Sequence, residues 1–515
     1  MAQNSAQTTE WKILLVAVAG TFMVILDQTI MNIALPHIIA VFNVPTDHAQ
    51  LVISAYLMAT AITTPAAAFL CSRFGTKRVF LLSQASFLLG SILCGISWNA
   101  DSLIVFRILQ GLAGGLLSPI AMTLLFLNVP VNQRGTAMAI FGIPLMLAPA
   151  FGPTLGGFLV TDISWRMCFY VNVPVVLVAI VLGLAWIQET PSMPAGFDYR
   201  GFALAAIGFS TLLYALSYAP TLGWSNVRIV GFLVLGMISL LTWIVMELRS
   251  EQPMLDLRIF KSGGFSLATG LNFVTTIGLF SIIFLLPLFL QNVRGLTALE
   301  TGILMLPAVL GSIVTMPLGG QLYDRIGPKV PVVAGLIIAG AATFWMRTID
   351  VTTPDNLLRL MLFVRSMGIG LAMMPVMTYA LASVEQKMTA QASSIMNVSR
   401  TVFASLGIAI FATMLTNFQK TNLAIISQTF TPNSPHTMQL VSTVQVILMQ
   451  AGQTLEAARQ TAIYVLYLLA NLRASVAAFQ AEYFIAAIII SVGVLPALFF
   501  PFGRQKGTPS RAVMD

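Results

Sequence analysis

The chain has 515 residues, 57% of them hydrophobic and only 9% charged, with a mean hydropathy of +0.88. A water-soluble globule normally carries about 25% charged residues, so this composition excludes one and leaves a polytopic membrane protein. The net charge of +8 would suggest a nucleic-acid partner in a soluble protein. Here the basic residues lie in short loops between apolar runs, so membrane topology accounts for them and no nucleic acid is expected.

The first residues, MAQNSAQTTEWK, lack a basic leader and a cleavage site, so the first apolar run is expected to remain as a spanning helix. A span needs about 20 apolar residues. Such runs occur near 12–34, 49–70, 79–98, 102–126, 135–160, 168–188, 200–218, 229–248, 265–290, 300–321, 330–347, 356–380, 392–417 and 481–502, which makes fourteen. Lys12, Arg73, Lys77, Arg134, Arg200, Arg249, Lys261, Arg325 and Lys329 then share one face with both termini, and Arg166, Arg228, Arg294 and Arg347 share the other. The richer face is expected to be cytoplasmic. Cys71, Cys94 and Cys168 have no ligand spacing and predict neither a disulfide framework nor a metal site. His37, His48 and His436 fall in outer loops at no metal spacing and receive no role.

Within the first run, GTFMVILDQTIMNIALPH (20–37) places Asp27 in the middle of an apolar helix, and no other acid is read as lying so deep in a span. A carboxylate at bilayer depth costs several kcal/mol unless paired, hydrated or protonated, so Asp27 is a functional-site candidate. The alternative is a structural polar group bonded to neighbouring helices. A carboxylate whose surroundings differ between two conformations can load and release a proton, which makes Asp27 the expected proton carrier. In the fourth run, RILQG (107–111) supplies a partner. At 1.5 Å per residue, Asp27 lies about 22 Å in from one face and Arg107 about 8 Å in from the other. In a core of about 30 Å those depths coincide. The competing reading has Arg107 snorkelling to the outer interface.

The loop AFLCSRFGTKR (68–78) recurs as GQLYDRIGPK (320–329). Leu70/Leu322, Arg73/Arg325, Gly75/Gly327 and Lys77/Lys329 are each 252 residues apart, and Pro36/Pro287 are 251 apart. Two six-helix halves (1–190 and 265–515) with an inserted pair (191–264) are expected, a parallel-repeat transporter plan with its site at the repeat interface. The two loops are read as paired conformational latches. The run GIPLMLAPAFGPTLGG (142–157) is read as a packing and bending element, because membrane helices tolerate its glycines and prolines. The long outer connection at 418–480 begins with the polar TFTPNSPHT and continues as a helical Gln- and Ala-rich stretch, whose YVLYLLANL is too short to span. A surface or interfacial helix is preferred there over a partner-docking element.

Taken together, LDQTIMNIALP (26–36), the loop at 68–78, RILQG, GPTLGG (152–157), WRMCFYVNVP (165–174), FDYRG (197–201), PMLDLRIF (253–260) and LPLFLQ (286–291) resemble the major facilitator superfamily. Within it they resemble the fourteen-span drug:proton antiporter family of the EmrB/QacA type. The resemblance covers about residues 20–410 and implies an all-α major facilitator fold with fourteen transmembrane helices arranged 6+2+6. Gly152, Pro153, Gly156 and Gly157 look like that superfamily's antiporter motif, which implies efflux. Departures are Ser72 where Asp is usual while Asp324 is kept in the second copy, Ala139 and Ala148 in place of glycines, and Leu51 in place of Trp. The first of these shifts the expected latch (Arg73, Gly75, Lys77, Asp324, Arg325, Gly327, Lys329) toward the C-terminal half.

The resulting expectation is a multi-pass pump of the cytoplasmic membrane that exchanges protons for drug-like molecules. It is driven by the proton gradient without a cofactor, and a periplasmic adaptor protein is left open as a partner. Asp27 and Arg107 serve proton coupling. Gln28, Asn32, Gln110, Asn272, Gln291, Asn397 and Arg400 are candidate cavity polars, with Met374 and Met377 as adaptable lining. The counterpart of Asp27 in the second half is Gly278, and the other central ionisable groups, Arg107, Arg365 and Arg400, are cationic. Neutral, zwitterionic, anionic or at most monovalent cationic substrates are therefore expected. Transport of a defined metabolite is the second hypothesis. A membrane enzyme or receptor is disfavoured, since neither an HExxH helix nor a cysteine cluster is present.

Overall fold

The computed structural model describes residues 2–190, 198–251, 253–429 and 435–503. Among them every regular element is helical. The first half runs through α1 (Ala2–Phe42), α2 (Thr46–Thr63) and its short continuation α3 (Ala67–Phe74), α4 (Thr76–Gly95), α5 (Ala100–Asn128), α6 (Arg134–Phe158), the one-turn α7 (Met167–Tyr170) and α8 (Asn172–Trp186). An intervening pair follows, α9 (Tyr199–Leu222) and α10 (Val227–Arg249). The second half comprises α11 (Gly263–Leu288), α12 (Ala298–Ile326), α13 (Lys329–Trp345), α14 (Asp355–Ala382), α15 (Thr389–Thr429), α16 (Pro435–Gln450), α17 (Leu455–Val492) and the one-turn α18 (Val494–Ala497).

Thirteen helices among the described residues are long and apolar enough to cross a membrane. The remaining run of the fourteen read from the sequence is α6, a helix of 25 residues, some of whose side chains lie outside the description. Local chemistry sets the helix starts. Asn99 and Ser102 form a reciprocal capping box at α5, Thr297 and Glu300 another at α12, and Asp198 accepts from the Gly201 amide at α9. Each satisfies amides that the first helical turn leaves without partners.

The loop repeat is mirrored in backbone geometry. Gly75 and Gly327 both take φ +87°, a conformation that costs a side-chain-bearing residue but not glycine. Each turn is held by the chain leaving the last helix of its half. The Lys77 amide donates to Glu189 Oε1 (3.0 Å) at one, and the Gly503 amide donates to the Ile326 carbonyl (3.1 Å) at the other. We call the side carrying these turns the latch face.

The halves meet where α6 packs on α12 and α5 on α15. α9 and α10 pack on each other, and α9 lies against α2 and α15. Tyr218 bonds Ser54 (3.1 Å), and Trp224 in the α9–α10 turn donates to Thr413 (2.8 Å), so the pair straddles both halves from outside. Glu247 is buried at the end of α10, where its Oε1 accepts from Trp243 Nε1 (2.9 Å). The outer connection differs from the sequence expectation in one respect. YVLYLLANL is not a separate surface element but the middle of α17, a single helix of 38 residues that continues into the last apolar run. α15 also outlasts its predicted end by a dozen residues, and with α16 these extensions pack into a three-helix projection. Residues 430–434 of the polar TFTPNSPHT stretch, and the side chains of His436 and Pro153, lie outside the described residues.

Candidate functional site

Asp27 is fully buried, and three donors from two other helices converge on it. Arg107 Nη1 donates to Oδ2, while Gln110 Nε2 (3.1 Å) and Asn172 Nδ2 (2.9 Å) donate to Oδ1. The amides are themselves oriented, since both donate to Ser91 Oγ, at 2.8 Å from Gln110 and 3.3 Å from Asn172. Arg107 also donates through Nε to the Val52 carbonyl (3.2 Å) and through Nη1 to Gln110 Oε1 (2.7 Å), with its guanidinium 4.0 Å from the Tyr56 ring centroid. This is the one ion pair among the described residues with both side chains buried. Only acceptor oxygens suit a carboxylate facing three N–H donors, so the cage fits the ionised form. Breaking such a pair from one side strands a buried charge at about 3–5 kcal/mol.

The glycine-rich run of α6 backs the turn of α1 that carries Asp27. A Cβ on Gly152 would lie 2.7 Å from Thr29 Cβ, and Thr29 Oγ1 donates to the Ala148 carbonyl (3.2 Å). A Cβ on Gly156 would meet Ile30 and Ile33 at ordinary van der Waals distance, and no described atom lies within 4 Å of one on Gly157. Small residues here let two helix backbones approach closely.

On the far side of Asp27 from the latch face, a cavity of about 280 Å³ separates α1 and α6 from α11, α12 and α14. Asn32, Gln291 and Arg365 line it, and no residue of α9 or α10 does. Toward the latch face the halves close. Gly135 and Gly320 meet backbone to backbone, Ser393 Oγ donates to the Pro119 carbonyl (2.8 Å), and Asn397 Nδ2 lies 3.6 Å from Met122 Sδ. Met374, Met377, Asn397 and Arg400 surround the small void of about 10 Å³ left there. Asp324 then spans the halves. Its Oδ1 accepts from the Gly135 amide (2.8 Å), and its Oδ2 accepts from the Thr136 amide (2.9 Å) and hydroxyl (2.8 Å). A carboxylate on the first turn of α6 is stabilised by the helix dipole and by otherwise orphaned amides. In the first copy, Ser72 Oγ instead donates to its own helix at the Phe69 carbonyl (2.8 Å), and Thr389 Oγ1 at the start of α15 is buried with no partner among the described residues. Arg325 ends α12 and Lys329 opens α13, Lys77 Nζ donates to the Leu184 carbonyl (2.8 Å), and Arg73 lies by the Phe74 ring.

The structure therefore brings Asp27, Arg107 and Gln110 into one cluster, puts Asn32 and Gln291 on the cavity wall, and gathers Met374, Met377, Asn397 and Arg400 at the closed side. Gln28 and Asn272 line neither space, and Asn272 Nδ2 reaches the Met396 carbonyl (3.5 Å) within the second half. Sequence reasoning missed Asn172 and Ser91. The signal for Asn172 was an amide opening the first turn of an otherwise apolar helix, inside the WRMCFYVNVP stretch. Asp27 is not the only acid enclosed by protein: Glu482 and Glu247 are as fully buried, and neither Glu482 oxygen has a partner among the described residues. Glu482 begins the last apolar run, and it escaped because that run was taken to start at the membrane surface. Among the described residues no three His, Cys, Asp or Glu are grouped to hold a metal ion.

Helices from both parts of the chain enclosing a cavity, with a buried ion pair beside it, match the plan of a membrane transporter. The chain belongs to the Major Facilitator Superfamily, whose family model matches residues 17–408. It is 32% identical over 491 residues to the uncharacterised MFS-type transporter YhcA of Bacillus subtilis, covering 95% of this chain and 92% of that one. It is 33% identical over 406 residues to the multidrug resistance protein B homolog of Mycobacterium tuberculosis, covering 78% and 75%. A solved double-Trp mutant of XylE shares its fold at 15% identity with a TM-score of 0.60, covering 97% of this chain and 98% of that one.

Proposed function

We propose that the chain is a proton-coupled antiporter that exports amphipathic drug-like molecules across the cytoplasmic membrane. It would do so with fourteen spans, α6 included, and with both termini on the cytoplasmic side. The observation that carries this reading is the separation of Asp27 from the cavity. The carboxylate is sealed in a cage of donors while a separate cavity lies beside it on the side away from the latch face. Two sites that can exchange occupants in turn are what antiport requires.

In the cycle this implies, the latched conformation is the release state. Asp27 keeps its charge on Arg107, Gln110 and Asn172. As drug leaves, Asp27 exchanges this cage for a proton taken from the outer side; opening of the latch then rocks the halves, shifts α5 against α1, and lets the proton leave to the cytoplasm as drug enters there. The lysine and arginine bias toward the latch face supports a cytoplasmic latch. Resistance of the Mycobacterium tuberculosis relative, as its name states it, supports a drug-like cargo.

Drug susceptibility of a pump-deficient host expressing the wild type or Asp27→Asn tests the reading. Protection by the wild type that is lost at equal expression of Asp27→Asn is expected. Equal protection by both would remove Asp27 as the carrier, and no protection by either against amphipathic drugs would remove drug export.

A further inference from the structure

The charges lining the interface between the halves are unbalanced. In the first half, Arg107 of α5 meets a carboxylate, Asp27. In the second half, Arg365 on α14 makes the analogous contact with Gly278, the position matching Asp27 at the 251-residue offset, which offers only its backbone carbonyl. Arg365 Nη2 donates to that carbonyl and to Ser281 Oγ (3.3 Å), and Nε donates to Thr343 Oγ1 (2.9 Å). Nη1 bonds no described atom, and Arg365 forms no ion pair among the described residues. Its guanidinium is buried by protein yet lines the cavity of about 280 Å³, where it is the only charged lining residue among those described. Thr301 lines the same space, its buried hydroxyl without a partner among the described residues. A second arginine, Arg400, forms no hydrogen bond or ion pair among the described residues and faces the closed continuation of the same interface.

An unpaired cation in low dielectric costs several kcal/mol, and a ligand that supplies the missing anion recovers much of it. Guanidinium is the group best matched to a planar carboxylate. The remaining walls of the cavity are mostly apolar, including Met146, Leu279 and Ile282. Its volume sits at the lower edge of the roughly 300–1,000 Å³ of drug-sized pockets.

We propose that this cavity seats a small lipophilic carboxylic acid, its carboxylate on Arg365 Nη1 and its apolar body against the α1, α6 and α11 walls, and that Arg400 receives the same carboxylate when the halves open at the latch face. Asp27, already matched by Arg107, takes no part in holding cargo. The inference names the substrate class for the exporter proposed above and rests on that reading only for the direction of transport.

The test compares full-length purified protein binding a 4-alkylbenzoate with binding of the 4-alkylbenzamide of equal chain length at pH 7, where the benzoate is ionised, by tryptophan fluorescence or thermal shift. The wild type should bind the acid at least tenfold more tightly than the amide. Arg365→Gln should abolish that preference while leaving amide affinity unchanged, an outcome that a purely structural role for Arg365 would not give. Equal affinity for acid and amide in the wild type overturns the proposal, as does an undiminished preference in Arg365→Gln. Should Arg365→Gln fail to insert, the wild-type comparison decides alone. Binding is measured without a gradient, so failure of proton-coupled export leaves this result standing, and absence of an acid preference leaves export standing.

Discussion

Asp324 is a place where a single side chain should control which face is open. Asp324→Asn keeps the shape but leaves one acceptor oxygen where two now receive three donors, and turns an NH2 toward backbone amides that also donate. Loss of a helix cap costs about 0.5–2 kcal/mol. Loss of the anion at the helix start adds about 0.3–1 kcal/mol. Ser72, at the matching position of the first-copy loop, is bonded to its own helix and supplies no such anion. The closed latch should therefore weaken by about 1–3 kcal/mol, roughly a five- to hundredfold shift at 1.4 kcal/mol per tenfold. A Met138→Cys reporter, in a background where Cys71, Cys94 and Cys168 are replaced by Ser, lines the closed void and should label slowly with a membrane-impermeant maleimide offered at the latch face. Asp324→Asn should speed labelling at least fivefold, and Ser72→Asp, which supplies an anion to the start of α15, should slow it. An unchanged rate in Asp324→Asn would refute the latch.

Three further outcomes follow from the packing. Asp27→Asn strands Arg107 without a counter-charge and should lose about 3–5 kcal/mol of stability, seen as a lower unfolding temperature in detergent, while Asp27→Asn combined with Arg107→Gln should recover most of it. Gly152→Val would place a branched side chain against Thr29 and push the Asp27 turn out of register, so expression with loss of transport is expected, and full transport would contradict the close approach. Glu482 is buried with both oxygens unpartnered among the described residues, so Glu482→Met should be neutral or stabilising by about 1–3 kcal/mol; clear destabilisation in a thermal melt would contradict this.

What the sequence revealed and what it hid divide along physical lines. Helix positions were legible because membrane spans need long apolar runs, and α9 and α10 fell within a few residues of expectation. The meeting of Asp27 and Arg107 was legible from depth alone, since two charged groups in a thin apolar slab have few places to go. Asn172 and Ser91 were hidden because small polar residues are common in membrane helices, and only side-chain direction shows which ones face a carboxylate. The alignment of Gly278 with Asp27 was legible through Pro36 and Pro287, but its consequence, an arginine resting on a backbone carbonyl, needed coordinates. The length of α17 was hidden because a helix emerging into water loses the apolar signal that marked its membrane half.

The central claim is that cargo and protons move in opposite directions through one protein, with Asp27 as the carrier. Purified wild type and Asp27→Asn, reconstituted into liposomes loaded with a pH-sensitive dye, would be given substrate on one side without a pH gradient. The account predicts substrate-dependent movement of protons toward the substrate side by the wild type, and none by Asp27→Asn, which should still exchange labelled for unlabelled substrate. Proton movement by Asp27→Asn equal to that of the wild type would contradict it.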